Sequence, residues 1–309
     1  METGYETFVE ALRQALIAAT GFDEEKIYFE KKGGRFTGSS DRLFVECAVY
    51  EDAREVCGIY TEDLYERYQE DITLEDIVRE VLLDVRRAQN SQYFQKTRNL
   101  SDYHKVKGDL FIRLLNADRN REELKYAVFQ TVGDIALVLY LKVSEEDGCV
   151  TSIKIRDEYV EKWGISQERA IEEALLNTYF LSPPRIYQWE KLFFDPEYGG
   201  ENFMDIVSGY EINKEAVGNC LSTTKRTNGA VAVFLPGVAE RLAKLIGSGF
   251  YLVFTSIHEV MIHNDKKVAP EDLVGVLKDT LKEATPEEDY LTSRIYHYNS
   301  DRKEFTCVC

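Results

Sequence analysis

Ser256 and His258 are the pair whose types and spacing come nearest to catalysis in this 309-residue chain. A serine hydroxyl becomes a nucleophile when an imidazole takes its proton and an acid orients that imidazole. The β-branched residues around them predict a strand, and two positions apart on a strand they share one face. Their Cβ atoms would then lie roughly 6–7 Å apart, long for a direct hydrogen bond. Glu259 would face the other way, so the acid would have to come from another segment. There is no G-x-S-x-G turn to thrust a serine into the open. The run His258-Glu259-Val260-Met261-Ile262-His263 invites a zinc-protease reading, but H-E-x-x-H needs its histidines at i and i+4. At i and i+5 the rings diverge by roughly 140° on a helix, and on a strand they take opposite faces.

Other chemistry-bearing patterns are incomplete. Gly33-Gly34-Arg35-Phe36-Thr37-Gly38-Ser39-Ser40 has the outer glycines of a phosphate loop and lacks its lysine. Neither G-x-G-x-x-G nor the P-C-x-x-C of zinc deaminases occurs. Among the six cysteines there is no C-x-x-C, and Cys307 and Cys309 have no further ligands close in sequence. No metal and no cofactor is therefore expected.

Two segments have the composition of binding surfaces. Asn177 and Tyr179, with Phe180, precede Pro183-Pro184 at an expected helix end, a polar and aromatic corner fit for a partner. Tyr65 and Tyr68 stand among Glu62, Asp63, Glu66, Glu70 and Asp71. On a helix these two rings are neighbours, and tyrosines anchor protein contacts while carboxylates steer them. Each candidate also has a plainer structural reading. Ser256 and His258 would satisfy backbone groups at a strand end. Asn177 would close a helix before the prolines. The tyrosines would pack an amphipathic helix onto a sheet.

The elements that must position these residues follow from periodicity. Residues 5–20 read as an amphipathic helix stopped by Gly21, and 74–89 as a helix capped by Thr73, with Leu74, Ile77, Val78, Val81, Leu82 and Val85 as its buried stripe. Strand character appears at 26–31, 42–50, 109–115, 126–131, 134–143 and 150–155, with Gly133-Asp134 as a turn. The nearly continuous apolar run Ile135–Leu141 predicts a central strand buried on both sides. A helix capped by Ser166 covers 166–178, and Pro183-Pro184 opens a further short helical stretch. Strands are expected at 219–223, 229–234, 250–255 and 258–262. Helices begin at Pro236 and Pro270, and a hairpin over 290–298 and 303–308 closes the chain. Hairpins mixed with helices give an α+β fold with largely antiparallel sheets. The polar stretch from Asn90 to Lys107 and the Tyr198-Gly199-Gly200 turn divide it into segments 1–104, 105–200 and 201–309.

The charge balance excludes several partners. With 38 basic and 55 acidic side chains the net charge is −17, and each third of the chain is negative. That argues against nucleic acid and against an electrostatic hold on anionic lipid. No apolar stretch reaches membrane-spanning length, and Glu2, Glu6 and Glu10 stand where a signal peptide would be basic. A cytoplasmic location with free thiols is expected.

Several segments, taken in order, resemble an uncharacterised bacterial family known only as a domain of unknown function. They are Ile72–Val78, Leu115–Asn120, Asp134–Tyr140, Ala174–Thr178 and the C-terminal Ser256-Ile257-His258-Glu259-Val260. The resemblance covers nearly the whole chain and implies a bacterial intracellular protein, but no activity. Phe254-Thr255 stands where the family pattern carries Pro-Ser, which argues against a mechanism needing adjacent serines.

The sequence reading is thus a cytosolic, non-enzymatic protein-interaction module. The alternatives are a hydrolase or transferase using Ser256 and His258, and a small-ligand-binding protein without catalysis.

Overall fold

Apolar stripes separate the chain into two self-contained cores. The computed structural model describes residues 4–32, 40–49, 54–146, 149–195 and 197–308, so most of the 33–40 glycine-rich segment lies outside the described residues. One compact unit spans Met1–Arg98 and the other Asn99–Cys309.

In the first unit, α1 (Gly4–Thr20) buries Phe8, Val9, Leu12 and Leu16, the spacing of a single helical face. Strands β1 (Ile27–Glu30), β2 (Arg42–Val49) and β3 (Arg54–Tyr60) pair antiparallel in that order. Helices α2 (Thr61–Gln69), α3 (Leu74–Gln89) and α4 (Gln92–Arg98) complete it. The expected cap of α3 is present: the Thr73 hydroxyl accepts from the Asp76 amide at 3.2 Å. Of its expected stripe, Ile77, Val78, Val81 and Val85 are buried, joining the α1 side chains, Leu43 and Val45 in one core.

The second unit opens with α5 (Tyr103–Val106), β4 (Leu110–Asn116) and α6 (Arg121–Leu124). Strands β5 (Phe129–Val132), β6 (Ile135–Glu146) and β7 (Cys149–Lys154) follow. β6 pairs with β4 along one side, and with β5 and then β7 along the other. The run from Ile135 to Leu139 is buried throughout, as expected of a strand covered on both faces. Helices α7 (Asp157–Trp163) and α8 (Gln167–Leu181) lead to β8 (Pro184–Tyr187) and α9 (Trp189–Phe194). Then come β9 (Asn219–Thr223), α10 (Val238–Ile246), β10 (Phe250–Val253), β11 (Val260–Asn264), α11 (Pro270–Glu283), β12 (Ile295–Asn299) and β13 (Glu304–Cys307). Six of these strands form a second antiparallel sheet in the order β13-β12-β10-β11-β9-β8. The class is α+β. The segment boundary drawn at 200/201 falls inside this unit, where β8 before it pairs with β9 after it.

A buried carboxylate ties the two sheets of this unit together. Asp134, in the turn between β5 and β6, accepts from Asn116 Nδ2 at 3.1 Å, from the Thr292 hydroxyl at 2.9 Å and from the Tyr296 hydroxyl. Burial and this carboxylate push the Tyr296 phenol far up. Gly133 has φ +59° and lies against the Tyr296 ring where a Cβ would stand, so only glycine fits.

Three expectations are corrected. Residues 229–234 form a 3₁₀ helix, not a strand. Gly229-Ala230-Val231-Ala232-Val233 is buried on every side, and periodicity cannot distinguish a strand from a fully buried turn of helix. The segment after Pro183 is the edge strand β8, an edge position where a proline's missing N–H costs little. The hairpin of β10 and β11 is shorter than expected, and residues 254–259 are its connection. Among the described residues no helix is long and apolar enough to cross a membrane.

Candidate functional site

Shortening that hairpin changes what Ser256 and His258 are. Both lie in the connection between β10 and β11, so the shared strand face does not exist. The Ser256 hydroxyl accepts from the His258 backbone amide at 3.0 Å, a local turn bond rather than a contact with the imidazole. His258 Nδ1 accepts from the Asn228 amide at 3.0 Å, and Nε2 faces Asp289 Oδ1 at 3.0 Å. A backbone N–H can only donate, so Nδ1 is unprotonated and the ring proton sits on Nε2 toward Asp289. Both nitrogens are thereby used, and neither is free to take a proton from Ser256. The His258 carbonyl accepts from the Ser222 hydroxyl at 2.7 Å. This cluster clamps the turn after β9 against the β10–β11 connection.

The other histidine of the rejected zinc motif is also committed. His263 Nδ1 lies 3.0 Å from the Ala216 carbonyl, and burial lowers its pKa. Cys220, 3.9 Å from Glu259, is no thiolate nucleophile either, because burial and then that carboxylate push its thiol up. Among the described residues no group of three His, Cys, Asp or Glu side chains could hold a metal.

The binding candidates divide by role. Asn177 does not end its helix, since α8 runs on to Leu181. Its amide donates to the Lys107 carbonyl at 2.7 Å and the Leu110 carbonyl at 3.0 Å, pinning the start of β4. Thr178 continues the clamp by accepting from the Ile112 amide at 3.0 Å. Tyr179 is half-buried against the core and packs edge-on to the exposed Phe180. In the first unit Tyr65 packs on Tyr5 and Phe8, and Tyr68 packs on Phe8 while staying 43% exposed.

The two clamps face a cavity of about 620 Å³ in the second unit. One wall is the Phe111-Ile112-Arg113 stretch of β4, fixed by Asn177 and Thr178. The opposite wall is the turn Thr223 to Asn228, fixed by Ser222 and His258. The end of α8 supplies Leu181 and Ser182, and the sheet supplies Lys142, Glu145 and Val150. Arg226 and Asn228 take left-handed φ values of 54° and 52°, a strained path that this turn holds only because it is clamped.

Residues with an unpaired buried polar atom cluster in its walls. Among the described residues six buried side-chain nitrogens and oxygens lack a partner, and three of them, Arg113 Nε, Ser182 Oγ and Thr223 Oγ1, belong to residues lining this one cavity. Arg113 has no carboxylate partner among the described residues; its contacts are the Phe111 ring at 5.5 Å, the Tyr140 ring at 5.3 Å and a long 3.5 Å bond to the Val150 carbonyl. Desolvation pulls its pKa down. Lys225 and Lys142 share Glu145, whose carboxyl the Lys225 ammonium holds below its usual range. Three cations and one carboxylate give the lining a formal charge of +2 in a protein of net −17. Such a site attracts an anion.

None of Arg113, Ser182, Thr223 or Lys225 was singled out by motif. Two signals were present. Arg113 interrupts the apolar run Leu110-Phe111-Ile112-Arg113-Leu114-Leu115, and Thr223-Thr224-Lys225-Arg226-Thr227-Asn228-Gly229 is a basic, glycine-ended turn in an acidic chain.

Residues 5–300 match the model of a family described as a family of unknown function, DUF5688, and the chain belongs to that family. No curated protein and no solved structure matches the chain.

Proposed function

We propose that this family member is a binding protein for a small anionic ligand, held in the second unit between β4, the end of α8 and the 223–228 turn. The observation that supports it is that Arg113, which has no carboxylate partner among the described residues, stands with Ser182, Thr223, Lys142 and Lys225 in the wall of one largely apolar cavity whose formal charge is +2. Desolvation lowers the pKa of the half-buried Arg113, and an anion in the cavity would supply the counter-charge it lacks. Ser256, His258 and Asn177 are in this reading positioning residues that set the two walls, not reacting groups. The cytoplasmic placement belongs to the same proposal, supported by the free thiols of Cys57 and Cys220.

Thermal unfolding in the presence of anionic metabolites tests it. A ligand at a hundred times its Kd adds about 2.7 kcal/mol by mass action. Carboxylates or phosphates should raise the Tm of the wild type and leave Arg113→Met unmoved. A flat response across both classes, or equal shifts in the variant, would overturn the proposal.

A second reading, docking of another protein, is favoured by Leu176 and Phe180. They lie one turn apart on α8, 48% and 72% exposed, beside Tyr179.

A further inference from the structure

We infer that His258 is an acid-sensitive latch: its neutral imidazole holds the 223–229 turn closed as a wall of the cavity, and protonation at Nδ1 releases that turn. The inference concerns the wall and not its occupant, so it stands apart from the anion binding proposed above.

Three observations meet at this turn. The first is what holds it. At one end the Thr224 amide donates to the Pro183 carbonyl at 2.9 Å, and at the other the Ala230 amide donates to the Ile257 carbonyl at 3.1 Å. Between them, among the described residues, the Asn228 amide on His258 Nδ1 at 3.0 Å is the backbone bond that reaches another element. The second is the state that bond requires. A backbone N–H can only donate, so Nδ1 must carry no proton. A proton placed there sets two donors 3.0 Å apart with nothing to accept from either. The ring itself stays, because Nε2–H keeps Asp289 Oδ1 at 3.0 Å and that bond strengthens when the imidazole becomes charged. The turn is therefore the partner that leaves. The open form takes up the proton more readily than the closed one, so closure is complete at high pH and is lost as pH falls. The ring is 32% exposed, and solvent protons reach it without unfolding. The third is what the turn does once freed. Arg226 and Asn228 sit at φ 54° and 52°, a conformation that residues other than glycine leave when nothing imposes it. Thr223, Lys225, Thr227 and Asn228 line the cavity, so the same movement opens it.

The other ionisable groups on the packed segments are engaged elsewhere or face solvent. Lys225 pairs with Glu145, Glu259 accepts from the Thr255 hydroxyl, Glu287 pairs with Arg119, and the Tyr290 ring lies under Arg119. Arg226 and Glu288 are exposed. Asp289 is the charge that meets the imidazole.

Hydrogen exchange of the full chain, read by mass spectrometry and corrected for the intrinsic rate at each pH, tests the inference. It is run at about pH 8 and about pH 5.5, a span over which imidazoles change charge. Protection of the 223–230 peptide should fall roughly fivefold or more in acid, the scale of one lost backbone hydrogen bond, while the buried strand β6 stays protected. His258→Asn keeps an oxygen where Nδ1 stands and cannot titrate, so its turn should be equally protected at both pH values. His258→Ala has no acceptor, so its turn should exchange fast at both. Circular dichroism and the urea midpoint at each pH show that the variants are folded. Equal protection of the wild-type turn at both pH values would overturn the latch. So would a fall in His258→Asn or His258→Ala as large as that in the wild type. Loss of protection in β6 together with the turn would mean that acid unfolds the unit rather than the turn, and would overturn it as well.

Discussion

At the scale of single residues, hydrogen-bond partners decide between chemistry and support. Ser256 and His258 have the types of a catalytic pair, yet the hydroxyl is bonded to a backbone amide and the imidazole is bonded on both sides. Arg113 has the opposite profile: an ordinary residue on a strand whose Nε is a buried donor without a partner and whose charge meets no carboxylate among the described residues. Truncating Ser256 deprives the His258 amide of its acceptor. Ser256→Ala should therefore cost about 1–2 kcal/mol in urea unfolding, the penalty for stranding a mostly buried donor. It should not change labelling by a fluorophosphonate, because wild-type Ser256, 8% exposed and with no imidazole to activate it, should not label at all. Labelling that vanishes in the variant would restore the nucleophile reading.

At the scale of elements, what was legible in the sequence is what local physics decides. The helix at Leu74–Gln89 has a cap, an apolar stripe and no competing pattern, and its bounds match those expected. The buried strand β6 was readable because seven apolar residues in a row leave a sheet little alternative. Residues 229–234 were not readable, since being buried on every side erases the period that separates strand from helix. β3 had no expected counterpart: Arg54-Glu55-Val56-Cys57-Gly58-Ile59-Tyr60 lacks clean alternation, and its partner β2 supplies the register. The cavity was illegible for a different reason. Its walls come from β4, α8 and the turn after β9, brought together by tertiary packing alone. Asn177 is the clearest instance, because its two bonds reach across 70 and 67 positions of sequence. An isosteric carboxylate there cannot donate to either carbonyl. Asn177→Asp should cost about 2 kcal/mol and, by releasing the start of β4, weaken binding at Arg113 several-fold. Unchanged ligand affinity in a measurably destabilised Asn177→Asp would show that α8 does not set that wall.

At the scale of the whole molecule, each unit carries its own core. The core of the first draws on residues between Phe8 and Val85, that of the second on residues between Leu100 and Tyr298, with both sheets of the second unit bridged by Asp134. Every residue lining the cavity, and every residue clamping its walls, belongs to the second unit. A stretch of about 210 residues exceeds the size at which a single core is self-sufficient. The fragment 99–309 should therefore fold alone, unfold in one cooperative transition and bind the same anionic ligand within about threefold of the full chain. Proteolysis of the intact protein followed by mass spectrometry checks where the boundary lies, and titration of the purified fragment checks the affinity. A fragment that folds but no longer binds would mean that the first unit contributes to recognition. A fragment that cannot fold would mean that the two cores, separate in composition, depend on each other for stability.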